Sequence, residues 1–412
     1  TTPGDPKLGF ENKAMEMAAK TWTGQGWWNG SGGNVWNSIS YDPEFNQLYI
    51  GTAASEPKDP SVRSPDGGDN LFTNSIVALD ADTGEYKWHY QETPRDAWDY
   101  NSTADIIQAE LAIDGKPRKV LLHAPKNGFF YVLDRKSGKL ISADKFATVT
   151  WAEKVDLDTG RPVYNKGSFY FSNPSSVAYV YPHGQGAHNW HPMSYSPATG
   201  LAYIPVQDFP AIYSKNIPNL NWGTYPFDPD NKEMIKGVGR LVAWDPVAKS
   251  PRWIVPHDLP INGGTLATAG NLVFQGTATG MVQAFAADTG KILWASKIGS
   301  SVQAGPITYM IKGKQYLLVP AGASGQARLV FPRYGASPDA HGPSRLVAYV
   351  LGGTGTVPRN DNEIAKEVPP PPPQTASAAN IRWGKSLFMT KACLGCHGAE
   401  AVQDSRGSVP DL

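Results

Sequence analysis

Residues 1–360 predict an all-β chain of repeated strand–turn–strand units, on three observations. Gly 42, Pro 35, Trp 13 and Tyr 18 are high counts in 412 residues; this mixture makes many tight turns between short aromatic-rich strands. A β-rich run, an Asp, a Gly-containing turn and a trailing Trp recur as SIVALDADTGEYKWHY at 75–90, YVLDRKSGKLIS from Tyr131, LVAWDPVAKSPRWIV from Leu241 and MVQAFAADTGKILWAS from Met281. Copies lie roughly 40–60 residues apart, the span of one four-stranded propeller blade.

Along the chain, Glu11–Lys20 predicts a short helix. SISYDPEFNQLYIG from Ser38 and MSYSPATGLAYIPV from Met193 are looser hairpin copies. The D-x-x-T-G or D-x-x-S-G segments suit a type I turn followed by a left-handed glycine. Trp88, Trp253 and Trp294 are placed to dock between neighbouring blades. About five or six blades fit before position 350. A β-sandwich of similar hairpins is the competing architecture, and the repeated Asp-Gly-Trp turn favours the propeller. Residues 361–378 form a linker around EVPPPPPQTAS, whose five prolines make a stiff spacer. From 379 onward, NIRWGKSLFMTKACLGCH predicts an amphipathic helix opening a second, all-α domain.

Lys+Arg 37 balance Asp+Glu 37, so nucleic acid is not an expected partner. No apolar run is long enough to span a bilayer. The opening TTPGDPKLGF lacks the charged start and apolar core of a signal peptide.

The only two cysteines stand in KACLGCHGAE. Cys393, Cys396 and His397 spell C-x-x-C-H, in which two thiols bond the haem vinyl groups and the imidazole binds iron. The tail from 379 to 412 therefore resembles the start of a cytochrome c domain. Covalent haem c needs export in bacteria, which points to the periplasm.

The repeats, linker and haem tail together resemble the quinohaemoprotein alcohol dehydrogenases. These are eight-bladed propellers carrying pyrroloquinoline quinone (PQQ) and calcium, fused to cytochrome c. The resemblance runs through GGNVWNSISYD, RSPDGGDNLF, HAPKNGFFYVLDR, GAHNWHPMSY and GGTLATAGNLVFQG. It implies oxidation of an alcohol to an aldehyde, with electrons passing from PQQ to haem c and then to a cytochrome, a copper protein or a quinone. Asp99, in AWDYNST, matches the catalytic base close to calcium. Trp36 matches the indole beneath the PQQ ring, and Lys126 the cation facing its carbonyl oxygens. Asn189 and Trp190 match residues at the cofactor edge and substrate cavity. His183, His188 and His191 fit no common zinc spacing.

Three departures accompany the resemblance, and one further residue, Asn101, bears on the metal. Ala54, in GTAAS, stands where the family has a calcium-ligating Asn, and a methyl group cannot ligate. Asn101 stands where lanthanide-using relatives have an extra Asp, which favours calcium. The family's first blades, with a calcium-binding Glu and a ring of two bonded adjacent cysteines, have no counterpart. No Met or His follows His397 as a sixth haem ligand, so a fragment is expected at both ends. The competing functions are a non-catalytic propeller scaffold and a PQQ dehydrogenase of sugars or polyols.

Overall fold

The computed structural model describes residues 2–25, 27–37, 39–172, 177–215, 237–322, 342–358 and 375–390, with short pieces at 227–228, 233–234 and 373. A 3-10 turn at Pro6–Leu8 and helix α1, Lys13–Ala19, open the chain. Asn12 caps α1 through its side-chain oxygen, which accepts from Met15 N at 3.0 Å. The helix expected over Glu11–Lys20 is thus present and two residues shorter at its start.

Blade 1 holds β1 (Ile39–Asp42), β2 (Gln47–Gly51), β3 (Ser75–Asp80) and β4 (Tyr86–Gln91). The short helix α2, Pro60–Arg63, interrupts the β2–β3 loop. Blade 2 holds β5 (Ile106–Ile113), β6 (Lys116–His123), β7 (Phe129–Asp134) and β8 (Leu140–Lys145). A hairpin β9–β10 (Ala152–Asp156, Arg161–Tyr164) and strand β11 (Val177–Val180) follow.

Blade 3 begins with β12 (Ser194–Ser196) and β13 (Leu201–Asp208). The chain then leaves it for β14 (Ala211–Ser214), which pairs with β11, and the two-residue strands β15 (Phe227–Asp228) and β16 (Glu233–Met234). It returns as β17 (Val238–Asp245) and β18 (Ser250–His257). Blade 4 holds β19 (Thr265–Thr268), β20 (Leu272–Gly276), β21 (Met281–Ala286) and β22 (Ile292–Lys297). A three-stranded sheet of β23 (Ile307–Ile311), β24 (Lys314–Ala321) and β25 (Arg345–Val350) is the fifth.

Strand pairing within the blades is antiparallel. First strands of successive blades lie side by side, β1 against β5 and β12 against β19. That is propeller packing, and the sandwich alternative falls with it.

The repeated turn explains the repeat. Gly84 N–H donates to Asp80 O at 2.9 Å, Gly138 to Asp134 O at 2.8 Å and Gly290 to Ala286 O at 2.8 Å. Asp134 Oδ1 also accepts from Ser137 N at 2.9 Å, and Asp245 Oδ1 from Ala248 N at 2.9 Å. The turn glycines have φ of 74°, 71° and 73°, a left-handed conformation that Gly adopts without strain. In blade 3 the glycine is replaced by Lys249 at φ 57°.

Two of these glycines have a second constraint. A Cβ on Gly138 would lie 2.2 Å from the Trp88 ring, and one on Gly290 2.7 Å from the Trp253 ring. Each tryptophan therefore docks on the turn of the next blade, as its spacing predicts. Trp294 packs edge-on against Tyr349 of the fifth sheet, with ring centres 5.0 Å apart.

The looser copies prove to be first hairpins, β1–β2 and β12–β13, whereas the tight copies are third-to-fourth-strand hairpins. Apolar seams join consecutive blades. Tyr49, Ile76 and Trp88 meet Leu121, Tyr131 and Leu133; Phe130 and Val132 meet Ile204 and Trp244. Each large side chain buried there contributes about 1.5–3 kcal/mol. Helix α3, Ala378–Thr390, lies where the amphipathic segment predicts a helix. Cys393, Cys396 and His397 lie outside the described residues. Among the described residues, no helix is long and apolar enough to cross a membrane.

Candidate active site

Four loops from the same region of the fold meet at Asp99. One is the β2–β3 loop of blade 1. A second, residues 92–105, links blade 1 to blade 2. The β6–β7 loop of blade 2 supplies Lys126, and residues 181–193 lead into blade 3.

Asp99 is set by its own loop. Asp96 is buried, and its carboxylate accepts from the backbone N–H groups of Trp98, Asp99 and Tyr100 at 3.1, 3.1 and 3.2 Å. This local cap folds the segment tightly enough that Asp99 takes φ 73°, a conformation Asp tolerates better than most residues. Behind it, Trp98 and Tyr100 stack and are wholly buried. The Tyr100 hydroxyl donates to Pro182 O at 2.7 Å, fastening this loop to the segment leading into blade 3.

Two ammonium groups grip the Asp99 carboxylate. Lys58 Nζ lies 2.5 Å from Oδ1, and Lys126 Nζ 3.1 Å from Oδ2. Lys126 also donates to Gly184 O at 2.9 Å, and Lys58 pairs with Glu56 at 3.1 Å. Both lysines are buried, while the Asp99 side chain keeps 22 % of its surface open.

Burial alone would raise the Asp99 carboxyl. Lys126 and Lys58 outweigh it and hold the group below the usual carboxylate range. Burial lowers Lys126 below the ordinary lysine value, with Asp99 opposing. On Lys58 the burial effect is overcome by Asp99 and Glu56, and the ammonium is held above its ordinary value.

Arg63 fixes the lysine loop to the aspartate loop. Its Nη1 donates to Pro57 O at 2.6 Å and Lys58 O at 3.1 Å, and its Nη2 to Asp96 O at 2.6 Å. Burial pushes this guanidinium down to about 10.

The other expected residues surround this centre. Trp36 keeps 44 % of its surface, enough to leave an indole face available for stacking. The segment around it is tied to the β2–β3 loop and to the 92–105 loop, with Ala53 N–H donating to Asn34 O at 2.9 Å and Asn37 to Thr103 O at 3.2 Å. Asn189 is buried, donates to Gln185 O at 2.9 Å and accepts from Trp190 N at 2.9 Å. The Trp190 ring stacks on His191, centres 4.0 Å apart. Ala187 N–H donates to Lys126 O at 2.9 Å, which ties this segment to the Lys126 loop. His188 places both ring nitrogens on carbonyl oxygens, of Ala124 at 2.6 Å and of His191 at 2.7 Å.

Sequence reading missed Lys58 and Arg63. Arg63 opens the segment RSPDGGDNLF, whereas Lys58 lies outside the segments that carry the resemblance. Their partners lie 41 and 33 residues away.

Loops within and between the blades of a propeller thus converge on a carboxylate held by two cations. The sequence profile described as PQQ: glucose/ethanol/alcohol dehydrogenase, beta-propeller domain, matches residues 3–143 and 236–317, more than half of the chain. The chain belongs to that family. It is 47 % identical to quinohemoprotein alcohol dehydrogenase ADH IIB of Pseudomonas putida, over 100 % of this chain and 60 % of the relative. Solved quinohemoprotein alcohol dehydrogenases also match over 100 % of the chain. That of Pseudomonas putida HK5, ADHIIG, does so at 44 % identity and TM-score 0.83, with 62 % of its own chain covered. That of Comamonas testosteroni does so at 42 % and 0.82, with 61 % covered. The chain spans about 60 % of the length of the curated relatives it matches.

The two groups implied by the resemblance fare differently against these residues. A half-exposed indole at Trp36 and two buried ammonium groups are side chains of the kind a flat, oxygen-rich quinone would use for stacking and for charge. A calcium ion does not fit the donors described here. Among the described residues, Asp99 and Glu56 are the carboxylates in direct contact with the clamp lysines, and an ammonium already sits on Asp99 Oδ1. Ala54 turns its N–H, at 2.5 Å, onto the Asn101 side-chain oxygen. Among the described residues, no three His, Cys, Asp or Glu side chains are grouped to hold a metal.

Proposed function

We propose that this chain is the catalytic part of a PQQ-dependent alcohol dehydrogenase that passes its electrons to a covalently bound haem c. The observation that carries the reading is the partly exposed Asp99 carboxylate held by Lys126 and Lys58. The family membership and the likeness to quinohemoprotein alcohol dehydrogenases support it.

When bound, PQQ supplies an acceptor for the hydride leaving the alcohol carbon. The chain's own residues do the rest. Asp99 stays ionised at neutral pH and takes the hydroxyl proton. Lys126 keeps a third N–H beyond its contacts to Asp99 and Gly184, available to a cofactor oxygen. Trp36 offers the stacking face, and Asn189 and Trp190 border the substrate side. Cys393 and Cys396 attach the haem and His397 binds its iron. Covalent attachment of haem c needs export in bacteria, which supports a periplasmic location, with a cytochrome, a copper protein or a quinone as the downstream acceptor.

The test is alcohol-dependent reduction of an artificial dye by the full-length protein with PQQ added. Activity that requires PQQ and disappears in Asp99→Asn supports the reading. A folded, PQQ-loaded protein that oxidises no alcohol refutes it.

A further inference from the structure

The position beside Asp99 Oδ1 is filled by this chain's own cation. We propose that the Lys58 ammonium takes the place of a divalent metal at Asp99, so that the base is positioned and the cofactor bound without calcium. This inference rests on the PQQ reading above.

Four observations carry it. Lys58 Nζ is 2.5 Å from Asp99 Oδ1, inside the range of about 2.3–2.6 Å that calcium keeps from its oxygen ligands. A calcium ion bonded to that oxygen and an ammonium in contact with it would occupy one space and repel each other.

The neighbouring donors have also changed sign. Ala54 brings a methyl group and an N–H, and that N–H consumes the Asn101 oxygen at 2.5 Å. A cation cage needs six to eight inward-facing oxygens.

Charge is met from within the chain. Lys58 adds a positive charge at Oδ1 beside the Lys126 cation on Oδ2, so both carboxylate oxygens already face a cation. Finally, the ammonium is held in place. The Arg63 guanidinium fixes the carbonyls of Pro57 and Lys58, and the Lys58 side chain is 4 % exposed. A lysine kept only for solubility would not be buried and aimed at the base.

The test uses the full-length, haem-loaded protein freed of PQQ. Bound calcium is measured by atomic emission, and PQQ affinity by tryptophan fluorescence quenching, in chelator and in excess calcium. The expected result is well under one calcium per chain and a PQQ affinity that differs by less than about twofold between the two conditions. The double variant Lys58→Ala/Ala54→Asn, which removes the ammonium and restores an oxygen, is expected to gain at least about tenfold in PQQ affinity from calcium. One tightly held calcium per wild-type chain, with PQQ binding lost in chelator, overturns the substitution and leaves the PQQ reading standing. A natively folded protein that binds no PQQ in either condition overturns both.

Discussion

Arg63 Nη2 lies 2.6 Å from the carbonyl oxygen of Asp96, while Nη1 holds the carbonyls of Pro57 and Lys58. One buried guanidinium thus spaces the loop that carries Lys58 from the loop that carries Asp99. Replacing it strands three carbonyl groups. Arg63→Met is expected to cost about 3 kcal/mol in denaturant unfolding. A loss under about 1 kcal/mol would mean that water replaces these bonds without penalty.

Asp99→Asn keeps the side-chain shape and removes the base. The dye-reduction rate should fall about 10²–10⁴-fold, the range that general-base catalysis contributes. PQQ affinity, measured separately, should survive. Retained turnover would move the base to another residue.

His191 provides the pH dependence. Burial, reinforced by repulsion from His188, lowers its imidazole to about 3. The folded protein therefore binds fewer protons there than the unfolded chain between about pH 6.5 and 3. Stability from this group is constant above pH 6.5 and is lost as pH falls through that window. The slope is about 1.4 kcal/mol per pH unit. His191→Phe, which keeps a ring for Trp190, should flatten the acid side of the stability profile measured by urea unfolding. An unchanged slope would assign the acid sensitivity to another group.

Gly84 and Gly138 occupy the same turn position with φ of 74° and 71°. A Cβ on Gly84 meets nothing within 4 Å, whereas one on Gly138 meets the Trp88 ring. Gly84→Ala should cost about 1 kcal/mol, the left-handed strain alone. Gly138→Ala should cost about 2–4 kcal/mol, because Trp88 must also move. Equal losses in paired thermal melts would show that the inter-blade contact adds nothing.

The turns and seams were legible in the sequence because their causes are local. Asp134, Ser137 and Gly138 lie within five consecutive residues, and their bonds close within that span. Trp88 and Trp253 follow those turns at a fixed distance, so their docking could also be read. Asp99, Lys126 and Trp36 were found because long matched segments contain them. Lys58 was not found, since nothing near it in sequence says that its ammonium ends on Asp99. Ala54, four residues earlier, reads in the sequence only as a missing oxygen. The folded chain adds that a positive charge arrives from the same loop. Chain-distant pairing of this kind depends on how two loops pack, which neither periodicity nor turn chemistry encodes.

The docking of Trp88 on Gly138 and of Trp253 on Gly290 also bears on how damage spreads. Each blade is latched chiefly to its sequence neighbours, so the molecule behaves as a chain of coupled units rather than one indivisible core. In such a chain the weakest latch sets where opening starts, and protection from hydrogen exchange should fall stepwise away from it. Asp99, with Lys58 from blade 1 and Lys126 from blade 2, sits across the latch made by Trp88. Loosening that single tryptophan should therefore silence the site before the rest of the array unfolds.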